Sequence, residues 1–156
     1  MPNRIPCRYS IAMKDAFKEW AIIVDALGRG DQILILRKGG IHEGRGGFQV
    51  EVPRFFLFPT RFHQQKDGVI EETAKNMDAL PKDYFSETEV RIEYWAEVVE
   101  WRKLESWDEA DRLKGQHVWT DEVIRERCDW SAKKGIYCLA TRIHRLPEPL
   151  LLPILA

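Results

Sequence analysis

The stretch LRKGGIHEGRGG, Leu36 to Gly47, sets Arg37, Lys38 and Arg45 among Gly39, Gly40, Gly44, Gly46 and Gly47. Glycines let main-chain N–H groups approach an anion closely, and the cations would supply charge, so the chemistry on offer is phosphate contact. It is not nucleotide hydrolysis of the Walker type. There the lysine follows the second glycine, precedes Ser or Thr and opens a helix, whereas Lys38 precedes its glycines and follows an apolar run. A dinucleotide fingerprint fails for lack of its glycine spacing. The plain alternative is a flexible strand connection with solvated cations.

Two further stretches carry polar groups beside aromatic ones. In FFLFPTRFHQQ, Thr60, Arg61, His63 and Gln64 cluster where an aromatic strand ends, and together could read polar edges against aromatic walls. Thr60 could equally cap a short helix there. In HVWTDEVIRERCDW, Trp119 and Trp130 flank a short helix with Arg125 and Arg127, a set suited to stacking a base or, alternatively, to a satellite core.

Catalytic chemistry is poorly represented. His42, His63, His117 and His144 share no ligand spacing with cysteine or acid, so no metal site is expected. A metal-dependent nuclease centre needs two carboxylates and a lysine around a divalent ion. Asp31, Glu43, Glu51 and Lys38 are the residues available, but VEV at 50–52 lacks a Glu-x-Lys pattern. There is no nucleophile elbow and no protein-kinase set. No catalytic residue and no cofactor are assigned.

The elements that would position these groups are mostly short. WAIIVDALGRGDQILILRKGG reads as a hairpin with strands near 20–27 and 32–37 around GRGD. A helix over 13–27 remains open, because Ala16, Trp20, Ile23 and Leu27 also share a helical face. Strand material follows at 48–52 and 55–58, and residues 67–87 read as loop with a little helix. Val90, Ile92, Tyr94, Ala96 and Val98 alternate with polar residues and give the clearest strand. Short helices follow, one capped by Ser106 or Asp108 and one by Thr120, and GIYCLATRIHRL returns to strand before PEPLLLP closes the chain. The whole, 1–156, is expected to be a single α+β domain: a curved antiparallel sheet or small β-barrel with short peripheral helices.

Composition agrees with a globular domain: hydrophobic residues make up 44% and charged ones 31% of 156 residues. The formal net charge is −1, yet it is segregated. Residues 1–66 hold 11 cations against 6 carboxylates, and residues 67–104 hold 5 against 10. One face can therefore attract an anionic partner. Cys7, Cys128 and Cys138 are odd in number without CxxC spacing, which predicts reduced thiols and a cytoplasmic location. No apolar run approaches the ~18 residues of a membrane span.

EWAIIVDALGRGDQILILRKGGIHE, FFLFPTRFHQ, HVWTDEVIRERCDW and CLATRIHRLPEP together resemble the bacterial family catalogued as domain of unknown function 1802. Members of that family are sometimes joined to a restriction-endonuclease-type domain, so the resemblance implies a role near DNA defence. It carries over no catalytic residues. The size and aromatic content are also similar to PUA-like barrels, which read modified or flipped bases. The expected function is a nucleic-acid-binding or base-recognition module for DNA or RNA. Arg37, Lys38 and Arg45 would be on phosphates, Thr60, Arg61, His63 and Gln64 at a pocket edge, and Trp119 or Trp130 would stack. A metal-dependent nuclease-type enzyme and a protein-interaction subunit are the alternatives.

Overall fold

The computed structural model describes residues 13, 15–38, 43–44, 47–48, 53–61, 65–81, 84, 86, 88–130, 132 and 134–154. Within them, strand β1 (Ala16–Trp20) leads directly into helix α1 (Ala21–Arg29), and β2 (Leu34–Arg37) follows. A two-residue ladder joins β3 (Glu43–Gly44) to β4 (Gly47–Phe48), and β5 (Arg54–Thr60) comes next. A short stretch of 3-10 helix, α2 (Glu71–Ala74) and more 3-10 helix precede β6 (Glu89–Leu104). The chain then forms α3 (Trp107–Asp111), α4 (Asp121–Asp129) and β7 (Ile136–Pro153).

The main sheet has five strands in the order β1-β5-β6-β7-β2. It is mixed rather than purely antiparallel, because β1 runs parallel to β5 with Phe17 opposite Leu57 and Trp20 opposite Thr60. The remaining pairs are antiparallel. A parallel pair needs a long crossover, and the chain from α1 through β4 supplies it.

The expected hairpin at 20–27 is replaced by α1. Ile22, Ile23 and Val24 are poor helix formers, but all three are buried with Ala26 and Leu27. Burial of each such side chain contributes about 1.5–3 kcal/mol, more than the few tenths that propensity withholds. GRGD is then a helix end, not a hairpin turn. Gly30 sits in the left-handed region at φ 79°, its N–H bonds to Leu27 O at 3.1 Å, and Asp31 N bonds to Ala26 O at 2.9 Å. Those two bonds satisfy carbonyls that the helix leaves unpaired.

β6 and β7 form a long hairpin with register shifts after Ile92 and after Val98. β7 runs on through PEPLLLP, where a chain end was expected, with Leu150 opposite Ile92 and Pro153 opposite Glu89. Only 137–140 of β7 also pair with β2, so among the described residues the distal half is a sheet edge. Prolines are tolerated there because no second ladder needs their missing N–H. The core lies between the sheet and the helices, with Phe17, Ile22, Leu36, Phe55, Leu57, Ala96, Trp119 and Ile124 among its buried members.

Candidate functional site

The inward face of β1 carries a charge. Alternation along AFKEW buries Phe17 and Glu19 on one side, and Glu19 is only 6% exposed. Its Oε1 accepts from Trp20 N at 2.9 Å. Burial pushes its carboxyl above the ordinary 4.5, while the charges of Arg127 and Arg37 and the bond from Trp20 pull it back. One acid therefore serves two guanidinium groups from opposite parts of the chain.

Those guanidiniums are held by rings and a carbonyl. Arg127 lies 5.0 Å from the Trp119 ring and 5.3 Å from the Trp20 ring, and its Nη1 donates to Leu36 O at 2.8 Å. Arg37, on edge strand β2, lies 4.3 Å over the ring of Phe17 on the other edge strand. Phe17 in turn stacks on Phe55 at 3.7 Å. Burial lowers the pKa of both arginines, with Glu19 opposing the shift. The Nη1 of Arg37 is sealed from solvent and has no hydrogen-bond partner among the described residues.

Of the residues the sequence singled out, Arg37 and Trp119 thus meet in one cluster. Lys38 is tied to it differently: its Nζ donates to Cys128 O at 2.9 Å and Gly135 O at 3.0 Å. It closes the carboxyl end of α4, where a cation is favoured, and keeps one N–H uncommitted to these carbonyls. Thr60 ends β5, and its Oγ1 donates to Glu19 O at 3.2 Å. Arg61 is exposed beside it. Trp119 is 2% exposed, whereas Trp130 is 74% exposed at the end of α4. Arg45, His63, Gln64 and Glu51 lie outside the described residues.

Two members of the site, Glu19 and Gln65, were not singled out from sequence, and Arg127 was named only as a neighbour of Trp119 and Trp130. Glu19 needed the β1 register. Arg127 carried a faint signal, standing three residues after Ile124 and beside Cys128, both buried on α4. Gln65 is 1% exposed; its Nε2 donates to Thr60 O at 2.6 Å and its Oε1 accepts from Ile22 N at 3.4 Å. It thereby caps the start of α1, which no local side chain does.

Behind Trp119 a cleft of about 920 Å³ opens between residues 70–76 and 114–122, with Arg29 and Asp31 at its rim. Its floor is fixed by the bridge between Val69 and Trp119 and by Val118 N bonded to Gln32 Oε1 at 2.9 Å. His117 lines it at 7% exposure, and its Nδ1 and the Trp119 Nε1 are buried with no hydrogen-bond partner among the described residues. Burial holds the His117 pKa below 6.5, so the ring is neutral at pH 7.

Asp31 is ion-paired with Arg29 at 2.9 Å, and no group of three His, Cys, Asp or Glu among the described residues could hold a metal ion. No described helix is long and apolar enough to cross a membrane.

No curated protein and no solved structure matches the chain. A family model described as Domain of unknown function (DUF1802) matches residues 16–156, which takes in the buried acid, both arginines and the cleft, and the chain belongs to that family.

Proposed function

We propose that this chain is a nucleic-acid-binding module without catalytic activity of its own, with Arg37 as an anion contact. One observation carries the reading: Arg37 and Arg127 both lie in the field of the one buried Glu19 carboxylate, and Arg37 has a guanidinium nitrogen with no hydrogen-bond partner among the described residues. Lys38 adds a third cation one residue further on, where the glycine-rich stretch leaves β2. The Arg37 side chain is only partly buried, and a guanidinium matches phosphate geometry.

In this reading Arg45, Arg61, His63 and Gln64 extend the contact along the chain on either side. Trp119 is a supporting wall and the exposed Trp130 is the stacking ring. Curling of the sheet toward a PUA-like barrel belongs to the same proposal, and the approach of Arg37 to Phe17 between the two edge strands supports it. So does a link to DNA defence, which rests on the family resemblance alone.

The test is a titration with single- and double-stranded DNA and RNA over a range of salt. Affinity should fall with a log–log slope near −0.9 per neutralised phosphate on duplex, or about −0.7 on single strands. Arg37→Ala should weaken binding across all sequences and shrink the slope by about one unit. Lys38→Ala would in addition uncap α4. Absence of binding to every probe at low salt ends the reading.

A further inference from the structure

The sheet has a second face, turned away from the buried acid. Alternation sends Phe17, Glu19, Phe55 and Leu57 inward, so Lys18 on β1 and Arg54, Phe56 and Phe58 on β5 share the outer side. The register carries that side across the next two strands. Phe56 stands opposite Trp95 and Trp95 opposite His144, which puts three rings in one row over β5, β6 and β7. The indole and the imidazole are stacked, with centroids 3.9 Å apart and planes 14° from parallel. Phe56 is buried within this row, whereas Phe58, Trp95 and His144 are half-buried.

Cations stand on either side of the rings. On one side the register sets Arg54, Glu97 and Arg142 in a row. Glu97 is the only acid of that row, and it lies 4.0 Å from Arg54 and 3.7 Å from His144 Nε2. On the other side a dent of about 370 Å³ opens between the end of β5 and the start of β6, with Phe58, Val90 and Ile154 as apolar wall. Lys18 and Arg61 line it, and no carboxylate does among the described residues. Lys18 and Arg142 are both exposed, and neither has an ion-pair partner among the described residues. Rings set between cations can take unpaired bases on their flat faces and phosphates at the sides. A duplex stacks its bases on one another and offers the rings nothing.

We infer that this outer face binds single-stranded nucleic acid, with bases against Phe58 and the Trp95–His144 pair and phosphates on Lys18 and Arg142. The ligand class rests on the nucleic-acid reading proposed above. The surface is a separate one, because Arg37 lies over the inward ring of Phe17.

The test is fluorescence-anisotropy titration of the full chain with labelled oligothymidylate, oligouridylate and a DNA duplex of the same length, over a range of salt. At least one single strand should bind, and more tightly than the duplex. Lys18→Gln with Arg142→Gln should flatten the single-strand log–log salt slope by about 1.4, two contacts at about 0.7 each. Both positions are exposed, so the doubly substituted chain should fold. Phe58→Leu should weaken single strands roughly 5- to 150-fold, the loss of one stacked base, with the melting temperature measured alongside. If that variant does not fold, the double variant decides alone. Binding of the DNA strand only or the RNA strand only supports the face and identifies the strand. The inference is overturned if no single strand binds, if the duplex binds as tightly, or if either variant, folded, binds as the parent does. Binding lost in Arg37→Ala but kept in the double variant overturns this inference and leaves the Arg37 reading standing; the reverse pattern ends the Arg37 contact and leaves this face.

Discussion

Replacing Arg127 with methionine should expose how far the buried charge cluster holds the domain together. The substitution removes the charge-assisted hydrogen bond to Leu36 O, worth about 1.5–3 kcal/mol. It also removes two ring contacts, at 5.0 and 5.3 Å, worth about 0.5–1 kcal/mol each. The total is about 2.5–5 kcal/mol. For a chain of this length the melting temperature should drop by roughly 5–20 °C. The pH profile should change as well. Glu19 titrates above 4.5 in the folded state, so the folded chain holds that proton more tightly than the unfolded one. Stability is therefore lost as pH rises from the unfolded value through the higher folded one. Without Arg127 the folded value rises further, and the penalty at neutral pH deepens. Adding Glu19→Gln removes the ionisation and should restore part of the loss and flatten the profile. Urea unfolding of the parent, Arg127→Met and the double variant between about pH 5 and pH 8 measures this. A loss under about 1 kcal/mol for Arg127→Met, or a double variant no more stable than the single one at neutral pH, refutes the reasoning.

Gly28→Ala should destabilise by about 1–3 kcal/mol in thermal or urea unfolding, because an added Cβ would stand 2.4 Å from the Tyr94 ring. Thr120→Ala removes the acceptor for Val123 N, 3.4 Å away, and should cost about 1 kcal/mol; Thr120→Asn should keep most of it. Burial pushes the Cys138 thiol up to about 11, so its alkylation should be slow near neutrality and quicken with pH toward that value. Peptide mapping after iodoacetamide labelling follows Cys138 separately from the other thiols, and labelling as fast as a free thiol's at neutral pH would contradict this.

Much of the local structure was legible because its causes are local. The alternation from Val90 to Val98 gives β6, and Ser106 and Thr120 each accept a bond from a backbone N–H three residues on, as their side chains predict for helix starts. The family resemblance was carried by contiguous residues and holds across 16–156. What the sequence could not decide was whatever depends on which face meets which. Ile22–Val24 suit a strand or a buried helix equally, and only packing against the sheet made them α1. The parallel pairing of β1 with β5 joins segments about forty residues apart, and no local pattern specifies it. The site follows the same division. Arg37 and Lys38 stand out by type, but their partners, Phe17, Cys128 O and Gly135 O, are set by tertiary contact. Glu19 looks like an ordinary surface charge along the chain, and Arg127 stood out only as a neighbour of Trp119 and Trp130. They become a buried acid with its guanidinium only because the β1 register turns Glu19 inward with Phe17 and α4 lays Arg127 over Trp20 and Trp119.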